Sequence, residues 1–179
     1  MILVDDTPRW WQAYKLLKLV LELALDDLQT AAATVSLSPI FGNVHEIINP
    51  TLAFVLIPFR EQFAPVLTVI NDEVKNQGLI CKRGDDFKTI NAVIDDIWKA
   101  ICEARVIIAD MTGLNPNVAY EVGMAHTIGK DTILIYQQQK GKKFPFDLHH
   151  IRRIEYADTP DGLIKLSREL RGTLTEILK

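Results

Sequence analysis

The chain has 179 residues, of which 48% are hydrophobic and 24% charged, and its net charge is −3. That length holds one domain with a sizeable core plus an extension, but not two domains of ordinary size. The weakly acidic balance gives no electrostatic footprint for a nucleic-acid duplex, although a nucleotide site needs only local charge.

Thr7 and Pro8 read as a cap and a first helical residue. From there Trp10, Trp11, Tyr14, Leu17, Val20, Leu21 and Leu28 recur at helical spacing, which predicts an amphipathic helix over residues 8–30. Lys15, Lys18, Glu22, Asp26 and Asp27 interrupt it too often for a transmembrane segment. Its apolar side would dock on the chain's own core or on another subunit, and a homo-oligomer, through this helix or through the domain surface, is expected. Residues 36–50, with two prolines and several turn formers, read as a linker. The expected division is therefore an N-terminal helical extension and linker over 1–50 and a single domain over 51–179.

From Leu52 onward, apolar strands alternate with amphipathic helices. Strands are predicted at 52–58, 78–82, 105–110, 132–136 and 152–156, and helices at 61–77, 89–104, 115–129 and 161–178. Continuous apolar strands between helices imply a parallel sheet covered on both faces. The expected fold class is α/β, flavodoxin-like or Rossmann-like, with strand order 2-1-3-4-5.

Cys81 and Cys102 are the only cysteines and have no CxxC spacing. Placed in a strand and a helix, they suit a reducing, cytoplasmic location. The first six residues lack a signal-peptide layout, so no export is expected. His45, His126, His149 and His150 show no zinc spacing, and neither a metal nor a cofactor is expected.

The most informative stretch runs from Ile107 to Ala125. Asn115 is a good N-cap and Pro116 suits the first helical position, so a helix should start there. Val118, Val122 and Ala125 fall on its apolar side, and Glu121 lies inside the same arc. An ionised carboxylate there is costly unless it is paired, reaches water or has a raised pKa.

The run Asn115-Pro116-Asn117-Val118-Ala119-Tyr120-Glu121-Val122-Gly123, preceded by Ala109-Asp110, resembles the nucleoside 2-deoxyribosyltransferase-like superfamily, which is related in fold to Toll/interleukin receptor (TIR) domains. The similarity spans residues 53–156. It implies N-glycosidic chemistry on a nucleoside, nucleotide or NAD-like ligand, with Glu121 as the carboxylate nucleophile at the anomeric carbon. The transferases carry an acidic residue six positions before the nucleophile, where this chain has Asn115. Asp110 could replace that acid, or could cap the loop by accepting backbone N–H bonds. The resemblance also implies an aspartate that orients the nucleoside, at Asp95 or Asp96, with Asp96 taken as the candidate.

In a doubly wound sheet, ligands bind beyond the carboxyl ends of the strands where strand order reverses. Pro58, Phe59 and Arg60 after the first strand, and the turn from Asp110 to Asn117, should therefore face one crevice. Arg60 could hold a phosphate or carboxylate, or could be a solvated arginine at a helix start. The backbone N–H groups that open the Asn115 helix could hold a ribose hydroxyl or phosphate oxygen. Tyr120 could orient Glu121 or stack on a base, or simply pack. Residues 144–148 could form a lid, and 140–143 read as a solvated loop.

Water as acceptor would make the protein a hydrolase, and a second base would make it a transferase. With Asn115 in place of an acid, a leaving group that is already cationic, such as nicotinamide, is the easier one. The same crevice would also serve a nucleotide sensor that oligomerises without turnover. An electron carrier is disfavoured, because residues 59–63 lack the glycine and hydroxyl groups that cradle a flavin phosphate.

Overall fold

The computed structural model of the protein describes residues 9–33, 39–42, 47–86, 93–139, 141, 144, 148 and 151–179. Thr7, Pro8, His45, His149, His150 and most of the 140–148 segment lie outside them. The chain divides into two compact units, Met1–Ser38 and Pro39–Lys179. The described residues of the first form one helix, α1 (Arg9–Ala33).

The second unit follows the expected alternation. β1 (Asn49–Leu56) leads to α2 (Ala64–Asn76), β2 (Ile80–Arg83), α3 (Val93–Glu103), β3 (Ala104–Asp110), α4 (Pro116–Thr127), β4 (Thr132–Gln137), β5 (Arg153–Tyr156) and α5 (Pro160–Ile177). All strand pairs are parallel, and the order is β2-β1-β3-β4-β5, a flavodoxin-like sheet. The helix expected from residue 61 begins instead as a 3-10 turn, Glu61–Phe63. Pro65 is the reason, because it has no N–H to bond back to the Glu61 carbonyl and the α-helix can only start around it.

Alternation along each strand divides the core between the two faces. Leu52, Phe54, Ile107, Ala109 and Leu134 pack under α3 and α4, whereas Ala53, Val55, Val106, Ile108 and Ile135 pack under α2 and α5. Each fully buried aliphatic side chain contributes about 1.5–3 kcal/mol, so two such layers account for most of the stabilisation. On the α2/α5 side, buried Glu73 fastens the helices together, accepting from Arg171 at 2.8 and 2.9 Å and from Ser167 at 2.5 Å. The Arg171 guanidinium holds the Glu73 carboxyl below its ordinary value.

Neither cysteine forms a disulfide. Cys102 is buried and Cys81 half-buried, and burial pushes the Cys81 thiol up to about 11. That keeps it protonated and unreactive at neutral pH.

Candidate functional site

The turn from β3 into α4 sets the site's geometry. Gly113 and Leu114 both take positive φ, 72° and 54°, and Leu114 N–H closes the turn on the Met111 carbonyl at 3.1 Å. A leucine in the left-handed region is strained, and the cap that follows holds it there. Asn115 accepts from the N–H groups of Asn117 at 2.9 Å and Val118 at 3.3 Å, the expected N-cap.

That cap corrects one expectation. Pro116 has no N–H, Asn117 and Val118 donate to the Asn115 side chain, and Ala119 donates to the Asn115 carbonyl. The first turn of α4 therefore has no spare backbone donor for a phosphate or a ribose hydroxyl.

Beyond the carboxyl end of β1 lies a pocket of about 160 Å³. Its walls come from Val55, Leu56, Ile57, Pro58 and Phe59 on one side and from Asn115, Asn117, Val118 and Glu121 on another, closed by Gly84 and Ile97. The structure thus brings together Pro58, Phe59, Asn115, Asn117 and Glu121. Glu121 is half-buried on α4 and has no hydrogen-bond or ion-pair partner among the described residues. Burial alone pushes its carboxyl up from 4.5 to about 7.

The other candidates stand apart from this pocket. Asp110 is fully buried on the α2/α5 side of the sheet, where its Oδ1 accepts from Thr112 N–H at 2.8 Å and its Oδ2 from the Tyr156 hydroxyl at 3.2 Å. Burial raises its pKa, while the Thr112 and Tyr156 bonds pull the other way. Of the two roles left open for it, these bonds are those of a loop cap. Arg60 is exposed and is not a wall residue, and Tyr120 points outward with 55% of its surface exposed. Asp96 on α3 is half-buried outside the lining, and its neighbour Ile97 supplies the wall there.

Asp85 and Asp86 both serve Arg83. The guanidinium pairs with Asp85, and the Arg83 N–H donates to Asp86 at 2.7 Å. The same guanidinium lies 5.1 Å from the Phe59 ring and so braces one wall of the pocket. Phe144 is a core residue, edge-on to Tyr136 at 5.1 Å and under the Arg153 guanidinium at 4.3 Å, which corrects its expected place in a lid. Residues 145–147 of that segment lie outside the described residues.

Gly84 and Ile97 are wall residues that sequence reasoning missed. A Cβ on Gly84 would stand 2.9 Å from Ile97 Cδ1 and 3.3 Å from Phe59 Cζ, so the glycine makes room for the wall. A glycine at the carboxyl end of a strand was the available signal.

These features define a doubly wound, flavodoxin-like α/β domain with an acidic pocket at its switch point. No family model and no curated protein matches the sequence. Solved structures match the fold. A mutant flavo di-iron protein from Thermotoga maritima aligns with a TM-score of 0.56 at 12% identity, covering 74% of this chain and 37% of its own. A metazoan TIR-STING receptor from C. gigas, in complex with 2′,3′-cGAMP, aligns with a TM-score of 0.51 at 17% identity, covering 82% of this chain and 43% of its own. The chain spans less than half the length of either protein, and at these identities the likeness is one of fold.

Proposed function

We propose that the pocket takes the sugar of a nucleoside, nucleotide or NAD-like ligand, and that Glu121 promotes cleavage of its N-glycosidic bond. The carrying observation is Glu121 itself, a carboxyl without a partner among the described residues, desolvated to a pKa of about 7 at the wall of a pocket beyond the switch-point strand. A volume of about 160 Å³ falls below the roughly 300–1,000 Å³ of sites that enclose a drug-sized ligand, so it fits one part of a nucleoside. Apolar walls, a carboxylate and the lack of spare backbone donors in the first turn of α4 favour the ribosyl ring over a phosphate there. As positive charge develops at the anomeric carbon, ionised Glu121 would stabilise it or bond to it, and the glycosidic electrons would leave with the base.

Among the described residues, Glu121 is the only acidic one in the pocket wall. A neutral leaving base needs a proton from a second group, but a cationic nicotinamide leaves neutral without one. Hydrolysis of an NAD-like ligand is thus the form of the reaction that these residues support best.

The same missing acid favours the second reading, a sensor that binds a nucleotide and does not turn it over. The TIR-STING receptor that shares the fold was solved with a cyclic dinucleotide.

Chromatography of released base or nicotinamide, from a panel of NAD, NADP, nucleosides and nucleotides, tests both readings. Release by the wild type that disappears in Glu121→Gln supports cleavage. Intact ligands with both proteins, where calorimetry detects binding, would leave the sensor.

A further inference from the structure

α1 is apolar around most of its circumference. At 100° per residue, the sequence spacing sets positions 15, 18, 22 and 26, held by Lys15, Lys18, Glu22 and Asp26, on one stripe covering about a quarter of an ideal helix. Leu16, Leu17, Leu19, Val20, Leu23 and Leu25 lie off that stripe, and each is more than half exposed. A helix apolar on so many sides needs cover.

Its charge pattern says what covers it. Arg9, Lys15 and Lys18 occupy the N-terminal half, and Glu22, Asp26 and Asp27 the C-terminal half. This runs against the helix macrodipole, which favours acids at the start and bases at the end; the first turn has no acid and the last turn no base. Within the helix, Lys18 reaches Glu22 at 3.7 Å and Lys15 lies 5.7 Å from the Trp11 ring, which offsets little of that cost at such exposure.

We propose that α1 pairs antiparallel with α1 of a second copy of this chain. An overlap centred between Val20 and Leu21 brings Lys15 level with Asp26 of the second copy, and Lys18 within one residue of its Glu22. A two-fold axis places the polar stripes of both helices on the same flank of the pair, so they form one ladder of alternating charge along the seam. The opposed macrodipoles attract, and the leucines pack across the interface over a helix about 37 Å long. A parallel pair would set like charges level with like. A lipid surface is the poorer occupant, since the stripe carries as many acids as bases and offers no net attraction to anionic headgroups. Among the described residues, no helix is long and apolar enough to cross a membrane.

Sedimentation equilibrium of the full chain, at micromolar concentration and low salt, tests the pairing with two charge-swapped variants. One is Lys15→Glu with Lys18→Glu, and the other is Glu22→Lys with Asp26→Lys. The wild type should self-associate. Each variant alone should associate at least about tenfold more weakly, and an equimolar mixture of the two should recover the wild-type affinity. Both variants bring α1 closer to the macrodipole preference, so lost association does not report a melted helix, and far-UV circular dichroism checks this directly. A monomeric wild type overturns the proposal, whether α1 then covers its own domain or binds added vesicles of neutral or anionic lipid. Variants that associate as tightly as the wild type overturn the antiparallel register.

Discussion

Tyr156 donates a hydrogen bond to Asp110 Oδ2 across 3.2 Å, on the face of the sheet opposite the one that α4 and Glu121 cover. The bond assigns Asp110 to the loop and makes its role separable from that of Glu121. Asp110→Ala leaves the Thr112 N–H and the Tyr156 hydroxyl without acceptors and should cost about 2–3 kcal/mol in urea unfolding. Asp110→Asn keeps one acceptor but turns an NH₂ toward a donor, for a cost of about 1 kcal/mol. Turnover by Asp110→Asn should keep the wild-type pH profile; a wild-type rate that falls at high pH, with the fall abolished in that variant, would make Asp110 the acid after all.

The raised carboxyl of Glu121 sets the pH dependence of any reaction that uses it as a nucleophile. Because the charged form is required, kcat/KM should rise with pH through about 7 and level off above it. A cationic ligand in the pocket would stabilise the carboxylate, so the limb in kcat should lie at lower pH than the limb in kcat/KM. Rates that fall across that range would instead identify Glu121 as a proton donor.

Glu121 should also weaken the fold at the pH where it works. Its folded pKa stands above its ordinary value of 4.5, so the folded state holds the proton more tightly. The resulting stabilisation is full below 4.5 and is lost as pH rises through about 7. Glu121→Gln removes that loss. Discounted for partial exposure, the variant should be about 1 kcal/mol more stable than the wild type near pH 8 and should match it near pH 4. Urea melts at the two pH values measure it. A gain in stability together with lost turnover marks a group kept for function at the fold's cost.

The fold was legible because β1, β3 and β4 carry apolar runs and the helices between them are amphipathic. Asn115 caps α4, as its side chain suggests. Periodicity also placed Glu121 inside the apolar arc of α4. It could not say that Asn115 would use up the donors of the first turn, because capping and ligand binding compete for the same N–H groups. Nor could it separate the two faces of the sheet at Asp110, where one step along β3 decides which side a carboxylate meets. Nor could it place Gly84 in the wall, since close approach of a wall depends on residues far away in sequence.

Gly84 offers the sharpest test of where a ligand sits. Its missing Cβ leaves the space between Ile97 and Phe59, and a methyl there would stand 2.9 Å from Ile97 Cδ1. That contact is with the end of a flexible side chain, so Gly84→Ala should fold, losing about 1 kcal/mol as Ile97 shifts. The shifted isoleucine and the new methyl both narrow a pocket of only about 160 Å³. A ligand seated there should bind about tenfold more weakly, with KM raised and kcat little changed, because a wall removes binding energy from the ground and transition states alike. Calorimetry with the ligand that the panel identifies, run beside Tyr120→Phe on the exposed side of α4, separates the pocket from the rest of the helix. Equal loss in both variants, or in neither, would place the ligand elsewhere.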